Sequence, residues 1–159
     1  MDQSSVFWLR VTLVLYSLGL GHALVTLVRR RQRMFKPALA AISLGAVLHL
    51  VSIVDQGMAM GRLPVVTLQQ MASVIGFLTT ASFLLAYWRY KYESLAVFVF
   101  PTVFLLTLIA SLGGPVDPWA QQSLGKWWLS IHVGLFLLGF AALFITFAAG
   151  VMYLIQERE

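Results

Sequence analysis

Residues 127–155 read WWLSIHVGLFLLGFAALFITFAAGVMYLI and contain no Asp, Glu, Lys or Arg. At 1.5 Å of rise per residue, such a helix exceeds the roughly 30 Å hydrocarbon layer of a bilayer. Four further apolar runs precede it, over residues 6–28, 38–54, 66–88 and 95–112. The chain therefore reads as all-α: a polytopic integral membrane helix bundle of five spans in a single membrane domain, 1–159. Pro37 suits the first turn of the second helix. Pro101 falls in the early turns of the fourth and is expected to kink it. Residues 55–64 and 113–126 read as loops, the second broken by Gly113, Gly114, Pro115 and Pro118.

Composition agrees. Of 159 residues 60% are hydrophobic, the mean hydropathy is +0.85, and 11% are charged, against roughly a quarter in soluble domains. There is no cysteine, which removes disulfides, thiolate metal sites and redox dithiols. The net charge of +5 does not point to nucleic acid, because the basic residues sit in short clusters between apolar runs. No phosphate loop, metalloprotease motif or nucleophile triad is visible. The first run is too long for a signal peptide, follows Asp2 and lacks a small-residue cleavage site.

Orientation follows from the eleven basic residues. Arg29, Arg30, Arg31, Arg33, Lys36, Arg89, Lys91 and Arg158 fall on one side; Arg10, Arg62 and Lys126 fall on the other. The positive-inside rule then puts the N-terminus outside and the C-terminus inside. Trp119, Trp127 and Trp128 would mark the outer boundary, and Trp88, Tyr90 and Tyr92 the inner one. The cluster from Arg29 to Lys36 reads as the inside anchor, with anionic lipid attracted to it.

Three histidines lie in or against the spans, and ionisable groups at that depth need a partner or a task. Imidazole also ligates haem iron. His49 shares a face with Ala41 and Gly45, with Ser52 close by. It is either a hydrogen-bonded residue in a small-residue packing seam or a ligand to a cofactor lying in the gap. His132 opens the fifth helix, sharing a face with Trp128, Phe136 and Gly139. It is either an interfacial side chain reaching water or an axial haem ligand packed by aromatic rings. His22, beside Gly19 and Gly21, reads as a buried histidine bonded to a carbonyl or hydroxyl. Gln69 and Gln70 would cap the third helix or bind a propionate. Asp55 and Asp117 read as outer-loop carboxylates facing water or orienting a histidine.

Three motifs carry a family resemblance: Trp128-Leu-Ser-Ile-His132-Val-Gly, Leu138-Gly-Phe-Ala-Ala, and Ala149-Gly-Val-Met-Tyr153-Leu-Ile-Gln-Glu-Arg158. The chain resembles the cytochrome c assembly membrane proteins of the CcsA/HemX type, and more distantly the CcmC type. The second helix with His49, the Leu63-Pro64 turn and Pro101 also fit. The resemblance implies haem handling: a transient b-type haem held at the outer face for covalent attachment to an apocytochrome c. His132 matches one external haem-ligating histidine, Trp128 would pack the ring, and His49 is a candidate second ligand or waypoint. In the family, further helices, a Trp-rich segment and a second external histidine follow. The chain is accordingly expected to be the N-terminal part of a longer architecture.

The expected function is a haem-binding membrane component of cytochrome c assembly, in the cytoplasmic (inner) membrane of a bacterium. Its expected partners are haem, other assembly membrane proteins, apocytochrome c and the lipid bilayer, with no nucleic acid. No bond-making residue is visible; the thiols belong to the apocytochrome and the vinyl groups to haem. Two alternatives stand beside this: a b-type haem electron carrier using His49 with His132, and a cofactor-free transporter or scaffold subunit.

Overall fold

The computed structural model describes residues 3–29, 35–113 and 127–157. They form five long helices and one short turn of 3-10 helix. In chain order these are α1 (Gln3–Arg29), α2 (Phe35–Met60), α3 (Leu68–Tyr90), the 3-10 turn (Glu93–Leu95), α4 (Ala96–Ser111) and α5 (Trp127–Gln156). Five spans are long and apolar enough to cross a membrane, the fourth being the 3-10 turn together with α4, Glu93–Ser111. Asp117, Trp119 and Lys126, with Arg30, Arg31 and Arg33, lie outside the described residues.

The principal pairing is α1 along α2, antiparallel, with α3 against α4 and α1 also on α4. The α1–α2 seam has a heptad spacing that neither helix advertises by hydrophobicity. Ser5, Leu9, Thr12, Tyr16 and Gly19 are buried on α1. Phe35, Ala38, Ile42, Gly45, His49, Ser52 and Gln56 are buried on α2. Small residues allow close approach between helices that gain nothing from hydrophobicity alone. A Cβ added at Gly19 would lie 2.8 Å from Ile42 Cγ1, and one added at Gly45 would lie 2.5 Å from Tyr16 Cε1. The Ser52 hydroxyl donates to the Ser5 carbonyl at 2.7 Å, a buried bond that ties the seam together where an unpaired polar group would be costly.

The second helix runs further than its apolar run. Asp55 and Gln56 are helical, not part of a loop, because the α1–α2 pairing continues past the apolar run. Asp55 accepts from the Ser4 hydroxyl at 2.6 Å, and Gln56 is buried against the bundle. The helix stops after Met60 in a Schellman arrangement: the Gly61 N–H bonds to the Met58 carbonyl and the Arg62 N–H to that of Gly57. Gly61 takes the left-handed conformation this requires, at φ 65°. After a short turn, Thr67 caps α3 in a capping box with Gln70. Gln70 Oε1 also accepts from the Val66 N–H at 2.9 Å, so this amide is a cap.

The bundle has two unlike ends. Toward the basic α1–α2 connection its interior is aromatic and aliphatic: Phe35, Phe83 and Phe100 pack together with Ile42, Val99 and Val103. Toward the other end the buried residues include His49, Ser52, Gln56, Gln70, Ser73 and Thr107. The last helix is peripheral. It leans mainly on α3, and 17% of its membrane window is enclosed, against 22–39% for the other four.

Candidate functional site

The histidine of α2 is completely buried, and α1, α2 and α3 meet around it. Its Nε2 lies 3.0 Å from Ser73 Oγ on α3, and its Nδ1 lies 3.4 Å from the Tyr16 hydroxyl on α1. Tyr16 and Phe77 present ring edges to it, with centroids 5.8 and 6.0 Å away. Gly76 admits the imidazole: a Cβ added there would lie 3.6 Å from His49 Cε1. Tyr16 reaches onward to the Thr80 side chain, and Thr80 donates to the Gly76 carbonyl at 2.8 Å.

Both ring nitrogens are thus engaged, and Thr80 selects the tautomer: it gives its proton to the Gly76 carbonyl, so it accepts from Tyr16, whose single proton is then spent. With the proton on Nδ1, the ring donates to Tyr16 and accepts from Ser73. With the proton on Nε2, Nδ1 and the Tyr16 hydroxyl would share no proton unless Tyr16 gave up Thr80. Metal ligation by His49 requires one of these bonds to be given up. The sequence singled out His49 and its stripe but missed Tyr16 and Ser73. The signal for Tyr16 was its place in the series Ser5, Leu9, Thr12, Tyr16, Gly19.

The histidine of α5 is the opposite case. His132 is exposed, and so are Ile131, Leu135, Phe136 and Gly139 around it. Trp128 and Phe136 are 66% and 60% exposed, and nothing lies within 4 Å of a Cβ added at Gly139. Phe136 packs edge-on against Phe140 at 4.8 Å. The result is an aromatic strip carrying an accessible imidazole. Flat apolar rings are well suited to such a strip, and the open glycine leaves room beside it.

His22 is exposed on α1, not buried as expected from its neighbouring glycines. Gln69 packs against Gly113. Asp55 belongs to the α1–α2 seam through Ser4. Gln56 is 3% exposed, and its Nε2 has no hydrogen-bond partner among the described residues. His49 and His132 stand on helices with different neighbours, α2 on α1 and α3, α5 mainly on α3. Among the described residues no three His, Cys, Asp or Glu side chains come together as a metal site. No known protein family, curated protein or solved structure matches the chain.

Proposed function

We propose that this chain is a haem-handling membrane component of cytochrome c assembly, presenting haem at the outer face of a bacterial cytoplasmic membrane. The observation that carries this reading is the accessible imidazole of His132 between the exposed rings of Trp128 and Phe136. The motif resemblance around the same residues supports it. His132 would supply one axial ligand and Trp128 a stacking surface for the porphyrin. Bound haem brings the iron and the vinyl groups; this chain's residues hold and orient it. The apocytochrome brings the thiols, and other assembly membrane proteins complete the site. His49 is a second ligand or a waypoint only if it releases Ser73 or Tyr16.

The proposed orientation has the N-terminus outside and the C-terminus inside, supported by the distribution of basic residues. Reporter fusions at Phe35 and Tyr90 should read cytoplasmic and fusions at Gly61 external. An external signal at Phe35 would reverse the arrangement and put His132 on the wrong side.

The haem test is spectroscopic. The chain is expressed with ample haem, and the Soret absorbance of purified wild type, His132→Ala and His22→Ala is compared. The expected result is loss in His132→Ala and retention in His22→Ala. A colourless wild type with a defined membrane partner would favour the cofactor-free scaffold. Stable low-spin haem that needs both His49 and His132 and cycles reversibly would favour the electron carrier.

A further inference from the structure

A cleft of about 290 Å³ opens at the basic end of the bundle, between the last turns of α1, the 3-10 turn and the start of α4. Its walls are apolar, including Leu20, Ala23, Phe35 and Pro101, while Thr26, Glu93 and Ser94 bring polar atoms to it. The cleft begins about one turn beyond Tyr16 on α1 and shares Phe35 with the α1–α2 seam, but His49 does not line it. It plays no part in the haem reading.

Three observations indicate what fills it. First, Pro101 has no N–H, so the Val97 carbonyl lacks its normal helical donor four residues on. Val97 and Pro101 both line the cleft, so this break in the helix ladder lies at its wall, beside the polar atoms of Glu93 and Ser94. Second, the only charged residue in the cleft wall, among the described residues, is Glu93, but basic residues gather at this end of the bundle. Lys36 is exposed and follows Phe35 in the cleft wall. Lys91 Nζ sits 5.2 Å over the Tyr87 ring, which in turn packs on Phe35. Arg29 ends α1, and Arg30, Arg31 and Arg33 follow in sequence. Third, exposed Trp88, Tyr90 and Tyr92 mark this end as a membrane–water boundary. An occupant there needs an apolar tail, an anionic group and hydrogen-bond donors at the level of the headgroups.

We infer that this cleft is a binding site for an anionic phospholipid of the phosphatidylglycerol class. An acyl chain lies against Leu20, Ala23 and Pro101. The phosphate sits toward Lys36, and the glycerol hydroxyls donate to the Val97 carbonyl and the Glu93 carboxylate. A zwitterionic choline lipid offers the tail but no hydroxyl donors, and its headgroup cation faces the basic cluster.

The test uses the whole chain reconstituted in bilayers of equal phosphatidylglycerol and phosphatidylcholine. It is then extracted in mild detergent, and retained lipid is counted by native mass spectrometry. Wild type should keep phosphatidylglycerol in preference to phosphatidylcholine. Ala23→Phe, which fills the cleft, should lose that adduct. Lys36→Gln should lower retention about five-fold, the worth of one basic side chain at an anionic surface. Ala149→Phe, beside the separate groove between α5 and the 3-10 turn, should leave it unchanged. Helicity and monodispersity check that Ala23→Phe folds; Val97→Trp replaces it otherwise. Equal retention of both lipids by wild type overturns the inference. So does undiminished phosphatidylglycerol in a folded, cleft-filled variant. A stoichiometric second chain in place of lipid would assign the cleft to protein and overturn it too.

Discussion

His49 and His132 look alike in sequence, each an imidazole on an apolar helix with a glycine on the same face. They end in opposite environments. His49 is fully enclosed, with Ser73 and Tyr16 on its two nitrogens and Gly45 one turn away under the Tyr16 ring. His132 is open, its glycine facing empty space and its aromatic neighbours turned outward. The difference lies in the partner helices. The α2 stripe meets a complementary heptad on α1, whereas among the described residues the strip around His132 meets no such seam. A glycine beside a histidine therefore marks a packing joint in one place and an accessible surface in the other. Removing each feature should separate structure from ligand binding.

The largest effect is expected at Gly45. Gly45→Leu drives a side chain into Tyr16 and should destabilise the bundle by about 3 kcal/mol, the upper range for overpacking. Leu44→Phe, on the exposed face of the same helix, should cost nearly nothing. Unfolding in detergent measures both, and equal tolerance would mean that α1 and α2 do not pack in this register.

Next comes the pair of histidines. His49→Ala leaves a cavity and strips the Tyr16 and Ser73 hydroxyls of a partner, for a cost of about 2–3 kcal/mol. His132→Ala should change stability by less than about 0.5 kcal/mol, as exposed positions do, while abolishing haem absorbance. If His132→Ala proves the more destabilising of the two, the contrast collapses. Ser73→Ala is a finer probe. It removes one hydrogen bond and leaves an imidazole nitrogen unpaired, which should cost about 1 kcal/mol without altering the haem spectrum. A spectral change would instead bring His49 into the haem site. The smallest shift belongs to Gln56→Met, which keeps the shape and removes an orphaned donor. Stability should rise by up to about 1 kcal/mol, and a marked fall would reveal a polar partner.

Much of the architecture was legible because membrane spans are long and their apolar runs continuous. The five helices match the runs to within a few residues, except at the end of α2. There Asp55 and Gln56 looked like loop residues, since charge and amide ordinarily belong in water. What holds them lies on other elements, Ser4 of α1 for Asp55 and the packed bundle interior for Gln56, and no local pattern discloses it. Gly61, the residue that ends α2, falls inside the stretch 55–64 that reads as a loop. At the site, the stripe Ala41, Gly45, His49 was readable from the four-residue period. That His49 should meet Ser73 and Tyr16 depended on which helices become neighbours. His22 shows the reverse error: flanking glycines suggested burial, yet Gly21 has nothing within 4 Å of an added Cβ and the side chain faces outward.

The near contact between Gly45 and Tyr16 has an evolutionary consequence. The two residues occupy one shared volume, since even a methyl at 45 would sit 2.5 Å from the Tyr16 ring. A lineage that enlarges residue 45 must first shrink residue 16. A smaller residue 16 no longer reaches His49 Nδ1, so the histidine keeps only Ser73 as a partner. Positions 16, 45 and 49 are therefore coupled: residue 45 can grow only after residue 16 has shrunk. In a population of descendants, a larger residue 45 should be found only beside a smaller residue 16, even as the lipid-facing residues between them change freely.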